Sequence, residues 1–592
     1  MALGLSNKLE RALTWKIKYI SERNFLLIIS GIVGIISGLA AVILKETVHY
    51  IDHFLTSQEF SENYLQIFYP LIGLVLTVLL AKLLYSEQQL GHAITDILYS
   101  ISRKSSIMGK SKMYSRLITS AFTVGFGGSA GLESPIVLTG SAIGSNIARI
   151  VNLNYKLRTL MIGCGTAGVI SAIFNAPIAG LIFSMEVILI EVSVTNFIPL
   201  LVASVSATLV SIVLLGEDVL FSFKLVDTFN AFDTPLYIAL GIICGLTSVY
   251  FLSILHRIEE AFTKIKSDYK TVFVGGVLLS IIIFLVPAVY GEGYAIIKAL
   301  LNNDQKALVQ RSIFIDVNEI NEWILFAYLV AVIFIKAIAS AITVGSGGSG
   351  GTFAPSLFLG GVTGYAFAKL INLSEVAYIS QSNFALVGMC GVLCGVQYAP
   401  LTAIFLIAEL TGGYVLFIPL MIVSAISFST VSYFYPNSIY VRELHHRGEY
   451  AADDHDKKIL SNLKINHLIE KDFKKIHKNA LLSDLIKVIS ISKRNIFPVI
   501  DTDEKLTGIV TLDDVRDIMF DIEKQENTKI SAIMSVPPAF IEFNENMESV
   551  MHKFETSQAW NLPVIKDGKY IGFLSKSRMF SVYRKQLIDQ KK

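Results

Sequence analysis

Apolar and polar positions along the chain segregate into blocks of roughly twenty residues, the length of a membrane-crossing helix. Apolar runs occupy residues 25–45, 65–84, 157–172, 177–190, 196–215, 235–256, 271–291, 322–342, 384–409 and 414–433. Other apolar stretches are interrupted by Gly and Pro, notably 121–150 and 343–371. In lipid every backbone polar group needs an internal partner. Broken helices are therefore tolerated only where protein or a water-filled cavity surrounds them. The pattern predicts an α-helical polytopic membrane region with broken helices over residues 25–445.

Beyond about Tyr435 the pattern changes. The charged stretch RELHHRGEYAADDHDKK (442–458) reads as a linker, placed at 446–460. The segments FPVIDTDEKLTGIVTLDDV (497–515) and LPVIKDGKYIGFLSKSRM (562–579) then echo each other, each reading strand, turn, strand, helix. KINHLI (464–469) and KISAIM (529–534) open the two halves, which we bound at 461–524 and 525–592. At the other end, residues 1–24 are basic and amphipathic and lack the short apolar core and cleavage site of a secretory signal. They read as a cytoplasmic lead-in to the first membrane helix, and the basic linker places the C-terminus on the same side. Both termini inside requires an even number of crossings.

Composition agrees with a membrane assignment. The chain is 53% hydrophobic and 17% charged, against about 25% charged in soluble proteins, and its mean hydropathy is +0.57. The net charge of +2 and the lack of a basic face argue against nucleic acid as a partner. Cys164, Cys244, Cys390 and Cys394 all lie in apolar, Gly-rich stretches. Cys390 and Cys394 are a helical turn apart, but no histidine or further cysteine accompanies them, so they read as packing residues rather than metal ligands.

The membrane region repeats internally. TVGFGGSAGLESP (123–135) recurs as TVGSGGSGGTFAP (343–355), and NAPIAGLIFSMEV (175–187) recurs as YAPLTAIFLIAEL (398–410). The two phrases keep their order and spacing, so the region is built of two halves. Duplicated halves with broken helices form a transporter plan, in which helix N-termini meet at mid-membrane to bind a substrate. Glycine lets the chain turn and leaves N–H groups uncovered. Pro135 and Pro355 suit the first turn of a helix. Each phrase therefore predicts a loop followed by a helix N-terminus, whose free N–H groups and positive dipole end favour an anion. Two such ends bind an anion without a permanent cation, which would hold it too tightly for conduction.

Glu133 stands in the first phrase where Phe353 stands in the second. A central membrane acid costs roughly 2.5–3.5 kcal/mol on insertion scales. Against helix N-termini its carboxylate can occupy the place of an anion, and once protonated it can release that place. This makes Glu133 a gate and proton carrier; the plainer alternative is an acid that only caps a helix.

These phrases resemble the chloride channel/transporter (CLC) family. GLESP (131–135) is similar to its gating-glutamate motif, GTFAP (351–355) to its G-x-F-x-P motif, and GHAITDI (91–97) more weakly to its G-S-G-I-P-E-V motif. The resemblance implies an inverted-repeat fold, a homodimer, chloride as substrate and one anion pathway per subunit. It makes Glu133 the external gate, with Gly131, Leu132, Thr352 and Phe353 around the anion. The chain departs from the family at three places. The anion-coordinating serine falls on His92, which can donate an N–H or add a charge when protonated. The coordinating tyrosine falls on Tyr435, from its place before the Ser-Ile pair but with spacing one residue off; Tyr440 is the second choice. The internal proton-relay glutamate is replaced by Val187, while Glu186 remains and Glu409 takes the matching place in the second repeat. The loss of that relay favours channel-like or uncoupled chloride movement over chloride/proton antiport, which stays open as the alternative.

The tail resembles a tandem pair of cystathionine-β-synthase (CBS) domains. That resemblance implies an adenine-nucleotide site at Thr511 and Asp514. In the second half Ser575 is present but Arg578 replaces the acid, so one site is expected rather than two. An intramembrane enzyme would need a second catalytic group beside Glu133, and none is evident. A metal transporter would need several intramembrane carboxylates, whereas the repeated phrases are Gly-rich. No cofactor is required by this reading.

Overall fold

The computed structural model describes residues 21–56, 67–84, 93–189, 197–216, 229–265, 267–310, 312, 315, 320–446 and 465–589. The chain divides into two compact units, Met1–Tyr450 and Ala451–Lys592. The linker placed at 446–460 falls, apart from its first residue, outside the described residues.

The first unit is helical, and its helices form two matching series. The first series is α1 (Glu22–Thr56), α2 (Tyr69–Leu84), α3 (Ala93–Arg103), α4 (Ser115–Gly125), α5 (Glu133–Ile150), α6 (Tyr155–Phe174), α7 (Pro177–Phe183) and α8 (Phe197–Leu215). The second is α9 (Thr234–Thr263), α10 (Asp268–Leu285), α11 (Tyr294–Leu301), α12 (Glu322–Gly345), α13 (Phe353–Leu373), α14 (Gln381–Gln397), α15 (Pro400–Leu410) and α16 (Phe417–Phe434), followed by α17 (Ile439–His446). Eight helices among the described residues are long and apolar enough to cross a membrane. In each half the long first helix packs on the last one and on the penultimate long one: α1 on α8 and α6, α9 on α16 and α14.

Two local signals break the helices at equivalent points. Asn175 (φ 53°) and Tyr398 (φ 58°) adopt left-handed backbone and end α6 and α14. Pro177 and Pro400 then open α7 and α15, where the missing N–H costs nothing. The apolar run 384–409 is thus two helices rather than one, because the residue before a proline is pushed out of helical geometry.

The core of each half is a close crossing of two helices on glycine. A Cβ on Gly140 of α5 would lie 2.4 Å from the Gly165 carbonyl of α6, and one on Gly144 would lie 1.9 Å from the Met161 carbonyl. The same contacts recur between α13 and α14: Gly360 against Gly388 at 2.3 Å and Gly364 against Phe384 at 1.9 Å. Small residues let backbones approach within lipid, where dispersion rather than water exclusion holds helices together. Acids complete the duplication by capping across the halves. Glu409 on α15 accepts the N–H groups of Ile178 (3.0 Å) and Ala179 (2.7 Å) at the start of α7. Glu186 accepts those of Leu401 (3.1 Å) and Thr402 (2.8 Å) at the start of α15, together with the Thr402 hydroxyl.

The second unit holds two copies of one small α/β motif. Strands β1 (Ile476–His477), β2 (Ile496–Ile500) and β3 (Leu506–Thr511) form a sheet in which β1 is parallel and β3 antiparallel to β2. Strands β4 (Ile541–Glu542), β5 (Asn561–Lys566) and β6 (Lys569–Ser575) repeat that arrangement. The helices Leu482–Ile491 and Met547–Ser557 precede the central strands.

Gly364→Ala tests the helix crossing. Its methyl meets a backbone carbonyl that cannot move aside, so destabilisation of about 1–3 kcal/mol or more is expected. The thermal midpoint of the detergent-solubilised chain should fall by several degrees; an unchanged midpoint would show that α13 and α14 do not touch there.

Candidate anion site

The two glycine phrases meet at the centre of the first unit. Gly131 N–H donates to the Gly351 carbonyl (2.9 Å), and Gly351 N–H donates to the Gly131 carbonyl (2.8 Å). The flanking contacts obey the same exchange. Ser129 N–H donates to the Thr343 hydroxyl (3.1 Å), and Ser349 N–H donates to the Thr123 hydroxyl (3.0 Å). Such reciprocal pairing requires a local two-fold axis between the halves. It sets the N-termini of α5 and α13 side by side, with Glu133 and Phe353 as their first residues. The free N–H groups of both first turns therefore gather at one place.

Glu133 is 1% exposed. Its Oε1 accepts from the Tyr294 hydroxyl (2.5 Å). Its carboxylate lies beside the backbone N–H groups of Ala354 and of Glu133 itself, but Oε2, fully buried, meets no donor at hydrogen-bonding geometry. An ionised oxygen left buried and unpaired is costly, so the group has reason to move or to take up a proton.

Two cavities flank this residue. One, of about 780 Å³, is lined by Leu132, Tyr290, Glu292 and Tyr294 together with Lys45 and His49 of α1. The other is about 10 Å³ and is lined by Ala93, Ile94, Ser134, Gly351, Thr352 and Tyr440. That volume is close to one water-sized probe, hence to one small ion. Residue 132 faces the large cavity and residue 134 the small one, so Glu133 stands between them.

The expected site residues divide accordingly. Gly131, Leu132, Glu133, Thr352 and Phe353 come together. The Phe353 ring packs on Phe174 (5.4 Å) and Phe183 (6.1 Å), which fixes the start of α13. His92 lies outside the described residues, although Ala93 and Ile94, which follow it, line the small cavity. Tyr435 does not reach the site. Its carbonyl accepts from the Tyr398 hydroxyl, and its ring lies under the Arg442 guanidinium (4.6 Å). Tyr440 lies beside the two phrases instead. It is buried on α17, lines the small cavity and donates its hydroxyl to Gln397, whose amide donates to the Thr352 hydroxyl (3.1 Å). The two tyrosines part because α17 starts at Ile439 and turns Tyr440 inward, while Tyr435 precedes that helix.

Val187 lies in a π-helical turn, Ser184–Ile188, that widens the end of α7. Glu186 in the same turn is committed to capping α15. Three contributors were not singled out from the sequence: Tyr294, Glu292 and Gln397. The first two belong to YGEGY (290–294), an acid between glycines inside an apolar stretch, which is the same signal that singled out GLESP. In the tail, Thr511 and Asp514 satisfy each other. Thr511 donates its N–H (2.7 Å) and its hydroxyl (2.8 Å) to Asp514 Oδ2, closing a capping box at the end of β3.

Comparison with known proteins follows these boundaries. A family model described as voltage gated chloride channel matches residues 73–432, and the CBS domain model matches residues 465–521 and 530–585. Chloride channel protein CLC-e of Arabidopsis thaliana is 28% identical over 66% of this chain, which spans only 57% of that relative's length. The H(+)/Cl(-) exchange transporter ClcA of Vibrio cholerae is 26% identical over 67% of this chain and 84% of its own length. Among solved structures, a slow cyanobacterial Cl-/H+ antiporter has a TM-score of 0.61 at 22% identity, covering 72% of this chain and 98% of its own. A eukaryotic CLC transporter has a TM-score of 0.61 at 17% identity, covering 94% of this chain and 99% of its own. The match over most of the membrane unit, centred on the paired glycine phrases, shows that the chain belongs to the voltage gated chloride channel family and carries two CBS domains.

Proposed function

We propose that the chain moves chloride across the cell membrane as a homodimer with one pathway per subunit and both termini cytoplasmic, gated by Glu133 under the control of voltage or protons. The observation that carries this reading is the placement of Glu133 between the two cavities, with Oε2 buried and unpaired among helix N-termini. A carboxylate there competes with an anion for the same N–H groups. Protonation removes its charge, so chloride passes more readily as pH falls. Thr352 and Phe353 offer neutral donors, and the Tyr440 hydroxyl becomes a third on turning from Gln397 to the anion; such donors bind chloride without trapping it. Movement is channel-like or uncoupled, because Val187 supplies no proton acceptor and Glu186 is held by α15.

Coupled chloride/proton antiport is the second reading. It is favoured by the relatives named as exchangers and by the retained gating acid. Reconstitution in liposomes with both fluxes recorded separates the two. Proton uptake driven by a chloride gradient would replace the uncoupled reading with the coupled one. The CBS pair binds one adenine nucleotide at the end of β3, where Thr511 and Asp514 exchange their mutual hydrogen bonds for ribose and phosphate.

Glu133→Gln mimics the protonated acid. Its chloride flux at neutral pH should rise toward that of the unaltered chain in acid; an unchanged neutral flux would sink the gate. Tyr440→Phe should weaken chloride binding about tenfold, the loss of one hydrogen bond to a charged ligand, whereas Tyr435→Phe should leave it unchanged. Isothermal titration calorimetry reads both, and the reverse order would return the role to Tyr435. Millimolar AMP, ADP or ATP should raise the melting temperature of the full chain, and Thr511→Ala should abolish that rise. No rise with any of the three would leave the tail without a nucleotide role.

A further inference from the structure

The YGEGY turn that joins α10 to α11 is built too firmly for a simple connector. Gly291 N–H donates to the Gly127 carbonyl (3.2 Å), which ties the turn to the first glycine phrase. The Tyr290 ring lies where a Cβ on Gly127 (φ 92°) would be, only 2.1 Å from that position. Lys336 of α12, fully buried, donates to the carbonyls of Val289 (3.2 Å) and Gly291 (2.8 Å). Lysine at this depth needs such acceptors, and here it uses them to hold the turn in place.

The turn in turn holds the gate. Tyr294 donates to Glu133, while Glu292 Oε1 accepts the N–H of Leu132 (3.3 Å). Leu132 is the N-cap residue of α5, so its N–H is among the donors gathered around the anion site. That hydrogen bond is long for N–H···O, near the outer end of the ordinary range, and easily surrendered. Glu292 is partly exposed to the large cavity, whereas Glu133 is shut away from it.

We propose that Glu292 is a second gating acid in series with Glu133: ionised, it occupies the Leu132 N–H as an anion would; on taking a proton from cavity water it releases that donor to the incoming anion. The proposal rests on the chloride reading given above. The charges that reach Glu292 are those of Glu133 on α5, Lys336 on α12 and Lys45 on α1. Tyr294 is its neighbour on the turn, and Glu46, His49 and Asp52 of α1 line the same cavity. The Glu133 and Glu292 carboxylates repel each other when both are ionised, so protonation of one bears on the other. The lysines temper this repulsion, and Lys45, which lines the cavity, favours anions there. Proton uptake at Glu292 forms a carboxyl O–H as an O–H of hydronium in the cavity breaks, and the reverse transfer returns the proton to the cavity water.

The test measures chloride efflux from liposomes across a range of pH, using the full chain with Glu133→Gln, Glu292→Gln and both together. Glu133→Gln should keep an acid stimulation of about tenfold, as expected for one remaining charged hydrogen bond, and the double variant should be flat. Glu292→Gln should also move the pH range of the remaining stimulation, since one of the two neighbouring charges is gone. A flat profile for Glu133→Gln alone, or an unmoved profile for Glu292→Gln, overturns the role of Glu292 while leaving the Glu133 gate intact. The gate reading fails by a different result, an unchanged neutral flux for Glu133→Gln. Glu292→Asp guards against misfolding: it keeps an acid at the turn and should keep the stimulation, and a profile like that of Glu292→Gln overturns the proposal.

Discussion

Two hydrogen bonds between Gly131 and Gly351 decide where everything else in the membrane unit sits. They join the halves at the residue before each helix cap, so the starts of α5 and α13 cannot drift apart. Neither position accepts a side chain. A Cβ on Gly131 would fall 2.2 Å from Glu133 Oε2, and one on Gly351 would fall 2.4 Å from the Ser134 hydroxyl. Glycine here leaves the room that both the acid and an anion need. Thr123 and Thr343 hold the same frame from the side, each accepting an N–H from the opposite phrase.

Around this frame many buried polar groups are met by fixed partners in the opposite half. Backbone broken at membrane depth finds acceptors in the opposite half, as lipid supplies none. Glu186 and Glu409 spend their charge on helix starts rather than on transport. Glu133, by contrast, keeps one oxygen without a donor. Two of these acids are bound on both oxygens and the third on one, so they differ in how firmly the fold holds them.

Much of this was legible in the residues. The duplicated phrases announced the two halves, and Gly, Pro and the single acid placed the meeting point. Blocks of apolar residues located most of the long helices. Three matters were not legible. The run 384–409 conceals a break because Tyr398, not an obvious breaker, takes the left-handed conformation. Choosing between Tyr435 and Tyr440 requires knowing where α17 begins, and boundary residues carry weak local signals. Glu292 lies some 160 positions from Leu132 in the chain, and no local pattern pairs residues that far apart. YGEGY carried the cue in its acid between glycines but had no duplicate to draw attention to it.

The glycine crossings have a mechanical consequence. Where α5 meets α6, and α13 meets α14, backbone already touches backbone, and no soft side chains remain to be compressed or rearranged. These pairs behave as rigid struts, and sliding one past its neighbour would require the whole crossing to separate. Freedom at the meeting of the two phrases is left to side chains that project from the struts: the Glu133 carboxylate and the phenols of Tyr294 and Tyr440. Any rearrangement at the starts of α5 and α13 therefore falls to side chains, with the crossings themselves left in place.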